Sequence, residues 1–101
     1  MTALITIENN SFSPVNITVA PGTIIKVKNK DSVPHSVTSE ANVGDFTFGE
    51  VNGISFNTGP FTTPDKTFKI PSDAALGTVI PYFCRFHTST MIPPNGTITI
   101  Q

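Results

Sequence analysis

A single cysteine in 101 residues rules out an internal disulfide framework, so packing and hydrogen bonding alone must hold the fold. Charge is scarce as well. Asp, Glu, Lys and Arg make up 13% of the chain, the net charge is -1 and the pI is about 6.0. There is no run of Lys or Arg, and a phosphate-binding surface needs clustered cations, which argues against a nucleic-acid partner. No apolar stretch approaches the length of a membrane span. Met1-Thr2-Ala3-Leu4 runs directly into a strand-like pattern with no signal peptide ahead of it. Such a start fits either a cytoplasmic chain or the mature part of an exported one. A convincing helical period is also missing. Ser72-Asp73-Ala74-Ala75-Leu76 has room for one turn at most, and nine prolines argue against helix interiors.

What remains is a strand-and-turn vocabulary. Hydrophobic residues make up 38% and the mean hydropathy is +0.07, enough to offset the entropy of folding. The length corresponds to one domain over residues 1–101, because a second core does not fit. Period-2 alternation recurs along the chain. Ala3, Ile5 and Ile7 share one face, as do Val15, Ile17 and Val19, Ile25 and Val27, Phe68 and Ile70, and Ile98 and Ile100. Asn9-Asn10, Ala20-Pro21-Gly22, Asn29-Lys30-Asp31-Ser32, Gly59-Pro60, Pro71-Ser72-Asp73 and Asn95-Gly96 read as turns between them. The pattern predicts an all-β fold, a Greek-key sandwich or barrel of about seven to eight strands. Residues 40–65 are the least regular part, and Phe46, Phe48, Phe56 and Phe61 must pack somewhere, so the segment is expected to be a structured excursion and not a linker. Lys26, Lys28, Lys30, Lys66 and Lys69 are expected on outward faces.

Chemistry concentrates near the C-terminal end. The strand-like run Thr78-Val79-Ile80-Pro81-Tyr82-Phe83-Cys84 places Ile80, Tyr82 and Cys84 on one face, with the thiol where a loop begins. Pro81 cannot donate to a ladder, which points to an unpaired or edge position. Cys84-Arg85-Phe86-His87 follows, then Met91; His35, after Pro34, is the other histidine of the chain. Taken singly, a buried Cys, a loop His and a core Met are ordinary. Together they supply two imidazoles, a thiolate and a thioether, the ligands of a mononuclear blue-copper site. Thiolate and thioether suit Cu(I), and imidazole suits both oxidation states. A site serving both with little rearrangement can pass electrons quickly.

The chain resembles the cupredoxins, the plastocyanin, pseudoazurin and amicyanin group. The resemblance rests on Pro34-His35-Ser36-Val37, Tyr82-Phe83-Cys84-Arg85-Phe86-His87 with Met91, the closing strand Gly96-Thr97-Ile98-Thr99-Ile100, and Ile54-Ser55-Phe56-Asn57-Thr58-Gly59-Pro60. Phe12, Val19-Ala20-Pro21-Gly22 and Val27 fit the family's opening strands, so the resemblance spans essentially the whole chain. It implies one copper ion, cycling between Cu(I) and Cu(II), with His35 and His87 as imidazole ligands, Cys84 as thiolate and Met91 as axial ligand. It also implies a soluble one-electron carrier, not an enzyme, in the periplasm or another extracytoplasmic space. The family often has Asn after its first ligand His; Ser36 stands there, so that link between the ligand loops is expected to be weaker or rerouted. The His-to-Met spacing lies between those of amicyanins and plastocyanins, and Ile92-Pro93-Pro94-Asn95 intervene before Gly96.

Pro34, Phe86, Ile92 and Pro93 read either as loop packing or as an apolar rim beside His87, suited to brief docking of a redox partner. Monomer is the default. A copper storage or delivery protein is the main alternative, and a metal-free sandwich for adhesion or assembly is another. A catalytic copper domain is disfavoured because four protein ligands leave no open position. A dinuclear centre bridged by two thiolates needs a second cysteine. A cysteine protease needs a base oriented by a third group, and no acid stands in the Cys84 loop.

Overall fold

The computed structural model describes residues 1–86 and 91–101. Eight strands form in chain order: β1 (Thr2–Glu8), β2 (Ser11–Ser13), β3 (Asn16–Val19), β4 (Ile24–Asn29), β5 (Thr38–Ser39), β6 (Lys66–Lys69), β7 (Val79–Phe83) and β8 (Asn95–Ile100). They build two four-stranded sheets, ordered β2-β1-β4-β6 and β3-β8-β7-β5. The fold is the expected all-β sandwich.

Alternation decides which face goes inward. Ile5, Ile7, Ile25 and Val27 from one sheet meet Ile80, Tyr82, Ile98 and Ile100 from the other, all fully buried. Each such side chain contributes about 1.5–3 kcal/mol by leaving water. On the outer face Lys26, Lys28 and Lys69 are exposed. Lys66 and Lys69 lie on the edge strand β6, where charge blunts pairing with other chains.

The pairing contains two parallel contacts that alternation cannot reveal. β1 runs parallel to β4, with Ile5 beside Val27, and β3 runs parallel to β8, with Val19 beside Ile100. The chain therefore passes repeatedly from sheet to sheet.

Three local expectations need correction. Of the two positions expected for Pro81, the edge is ruled out, because β7 lies between β8 and β5, and the locally unpaired one holds. Its carbonyl accepts from the Glu40 amide at 2.9 Å, so its ring nitrogen faces the same side, just past the end of the two-residue β5. The lost donor costs little there. Asn95-Gly96 opens β8 instead of forming a turn. Gly96 is required by close approach, since a Cβ would collide with the Val15 carbonyl and the Tyr82 ring. Phe48 does not pack; it is 55% exposed, because the chain bends at Thr47. The other phenylalanines of residues 40–65 do pack. Phe56 and Phe61 are buried, Phe56 stacks on Phe68 with centroids 4.3 Å apart, and Phe46 meets Phe83 edge-on at 5.9 Å.

Glu40 organises this excursion. Its buried carboxylate accepts from the amides of Gly44 at 3.3 Å and Phe46 at 2.9 Å, and from the Asn95 side chain. One carboxylate thereby fixes the start of the excursion to the start of β8.

Candidate metal centre

β7 delivers Cys84 to one end of the sandwich. Tyr82 and Cys84 are fully buried, as their alternation requires. Tyr82 is held by its hydroxyl, which donates to the Val15 carbonyl at 2.7 Å. Burial pushes that phenol well above its ordinary pKa, so it stays protonated.

His35 arrives from the segment between β4 and β5. Asn29 shapes the approach. Its amide donates to the carbonyls of Val33 at 2.9 Å and Phe61 at 2.8 Å, and its side-chain oxygen accepts from the Asp31 amide at 2.8 Å. His35 then bridges to Phe61, amide to carbonyl in both directions, at 3.2 and 3.1 Å. The imidazole is fully buried.

The two side chains meet. Nδ1 of His35 lies 3.6 Å from Sγ of Cys84, across 49 positions of sequence. Nε2, on the far side of the ring, lies 2.8 Å from Oδ2 of Asp31. A neutral imidazole has one donor and one acceptor nitrogen. In the neutral ring the carboxylate accepts a hydrogen bond from Nε2–H, which leaves the Nδ1 lone pair facing the sulfur. A histidine ligand with its outer nitrogen on a carboxylate is a recurring metal-site arrangement.

Sequence reasoning missed Asp31 as part of this site. Its carboxylate also accepts from the amides of Asn9 at 2.7 Å and Asn10 at 3.0 Å. Burial raises its pKa, but the amides of Asn10 and Asn9 and the His35 ring outweigh it and hold the carboxyl below its ordinary 3.8. The available signal was position: a carboxylate four residues before a candidate ligand histidine, within a turn.

Ser36 takes up the link expected from the residue after the first ligand. Its amide points at Sγ of Cys84 at 3.4 Å, and its hydroxyl accepts from the Arg85 amide at 3.0 Å. The hydroxyl also pairs with Thr38 Oγ1 at 3.0 Å, which donates to Asn57 Oδ1 at 3.0 Å. The bond between the loops is thus rerouted through a hydroxyl. An amide aimed at sulfur stabilises negative charge there, which suits a thiolate.

Met91 is 2% exposed and joins the core cluster that contains Cys84. His35, Cys84 and Met91 lie near one another. His87 lies outside the described residues. Among the described residues no three His, Cys, Asp or Glu side chains form a metal-holding group. The donor set fits a soft metal: a cysteine sulfur with an amide aimed at it, an imidazole with Nδ1 turned toward that sulfur, and a buried thioether. The nitrogen–sulfur gap of 3.6 Å also suits an ion between them, since bonds of about 2.0 Å to nitrogen and about 2.3 Å to sulfur span such a distance. Around this end Val33, Phe86 and Ile92 are 42%, 51% and 76% exposed, and Pro34 and Pro93 are exposed.

The chain matches no protein-family model and no curated protein. Its structure is similar to solved ones over nearly its full length. A novel purple cupredoxin from Nitrosopumilus maritimus is 27% identical, with 98% of this chain and 99% of that one covered and a TM-score of 0.63. The oxidised plastocyanin of Dryopteris crassirhizoma is 17% identical over 98% and 100% of the two chains, with a TM-score of 0.71. An oxidised amicyanin variant is 17% identical over 97% and 80%, with a TM-score of 0.66.

Proposed function

We propose that this chain, which has the cupredoxin fold, carries single electrons on one mononuclear copper ion held by His35, Cys84, His87 and Met91. The observation that carries the reading is the approach of His35 Nδ1 to Cys84 Sγ, 3.6 Å apart with both side chains fully buried. When bound, copper supplies a one-electron couple between Cu(I) and Cu(II). The protein residues supply the rest. Asp31 holds the His35 tautomer, the Ser36 amide supports the sulfur charge, and the sandwich keeps both ligands from moving. Fixed ligands favour transfer because little rearrangement accompanies a change of charge.

Docking is assigned to the apolar end. Pro34, Phe86, Ile92 and Pro93 offer a small, weakly held contact for a redox partner, with release as easy as capture. The carrier is placed outside the cytoplasm, in keeping with the family resemblance; among the described residues no helix is long and apolar enough to cross a membrane. The reading assigns no enzymatic reaction, because four protein ligands leave no position for a substrate.

The test is the visible spectrum after one equivalent of Cu(II) is added. An intense blue or purple band that bleaches with reductant and returns on oxidation supports the carrier. Cys84→Ser should lose that band entirely, because the transition needs the thiolate. A wild-type protein that binds copper without colour, and yields it to a modest chelator, favours storage or delivery instead.

A further inference from the structure

The turn between β1 and β2 touches both sides of the candidate metal centre without contributing a ligand. Asn9 and Asn10 form it, and both adopt left-handed backbone, with φ of 54° and 56°. Two consecutive residues in that region are costly for most side chains and cheapest for Gly and Asn. The conformation turns both amides the same way, and both donate to the Asp31 carboxylate. The same carboxylate takes His35 Nε2.

The other side of the turn reaches the axial segment. The Asn10 carbonyl accepts from the Ile92 amide at 3.0 Å, and Ser11 Oγ donates to the Ile92 carbonyl at 2.8 Å. Ile92 directly follows Met91. The turn thus grips the carboxylate that orients His35 and the amide of the residue beside Met91, and Ser11, the next residue, takes that residue's carbonyl. These contacts join segments 21 to 82 positions apart.

We propose that Asn9-Asn10 is a positioning element that locks the Met91 segment to the His35 side chain, so that the two sides of the site shift as one unit. The inference rests on the copper reading for its consequence and on the apo protein for its geometry. A change in the turn alters the His35 ring and the distance of Met91 together. An isolated structural turn alters neither ligand when its stability is restored.

Asn10→Val resists positive φ, whereas Asn10→Gly accepts it. In apo protein, hydrogen exchange at the Ile92 amide should quicken about tenfold in Asn10→Val, the loss of roughly one hydrogen bond. The ring-nitrogen NMR shifts of His35 should move in the same variant, and Asn10→Gly should restore both. In copper-loaded protein the reduction potential and the relative intensity of the visible bands should shift in Asn10→Val and return in Asn10→Gly. Where Asn10→Val does not fold, Ser11→Ala removes only the donor to the Ile92 carbonyl and carries the same readouts. Faster Ile92 exchange with unmoved His35 shifts overturns the coupling, whether or not copper binds. Absence of the coloured band in wild-type protein overturns the copper reading and leaves the apo result to decide this one.

Discussion

The amide of Arg85 donates to the hydroxyl of Ser36 at 3.0 Å, so the two residues that follow the two central donors, Cys84 and His35, are tied to each other. One hydroxyl thus does the work of a side-chain amide in joining two loops 49 positions apart. Ser36→Ala leaves the Arg85 amide without that acceptor in a part-buried place. The expected cost is about 1–2 kcal/mol, read as a lower urea midpoint, with the Cys84 thiolate band broadened in copper-loaded protein. A midpoint and band identical to wild type would show that the loops are held by other contacts.

Met91 tests the axial assignment. A thioether favours Cu(I), and an amide oxygen favours Cu(II). Met91→Gln should therefore lower the reduction potential while copper stays bound, measured by redox titration of the coloured band. An unchanged potential would mean that Met91 serves only as core packing.

Glu40 should matter for folding more than for colour. Its carboxylate accepts from two amides and the Asn95 side chain. Glu40→Gln turns a donor toward donors, and the expected loss is about 1.5–3 kcal/mol, the range for hydrogen bonds to a charged group. Chemical denaturation followed by circular dichroism checks it. A loss well under that range would show that the excursion is held chiefly by Phe46 on Phe83 and by Gly49, whose amide donates to the Ser39 carbonyl at 3.0 Å and whose carbonyl accepts from the Ser39 hydroxyl at 2.7 Å.

Asp31 links the site to pH. Its folded pKa lies below the ordinary 3.8, so the unfolded chain takes up the proton first as pH falls. The stability it contributes is complete above the unfolded value and is lost on acidification through the folded one. Apo protein should lose stability on acidification below about pH 4, and Asp31→Asn should flatten part of that fall while lowering stability near neutrality. Parallel profiles for the two proteins would remove Asp31 from the balance.

The faces of the strands were legible in the sequence because alternation reports burial directly: Ile5 and Ile7, Ile25 and Val27, Ile98 and Ile100 all point inward. Which strands pair was not legible, since β1 beside β4 and β3 beside β8 are parallel contacts between distant segments. Pro81 misled because a proline inside a sheet is harmless where the neighbouring strand stops, and only coordinates show where β5 stops. Cys84 and His35 came from side-chain chemistry, which needs no coordinates. Asp31 and Glu40 did not, because a carboxylate's worth here lies in the amides aimed at it, and those amides belong to turns whose dihedrals no composition reveals.

β3 has one neighbour among the described strands, β8, so Val19 must await Ile100. A ribosome emits the first of these long before the second. The second sheet cannot close until β8 has been made, and pairing between such distant segments is slow to form. The nascent polypeptide therefore carries β3 without its partner while all the strands of the first sheet are already made.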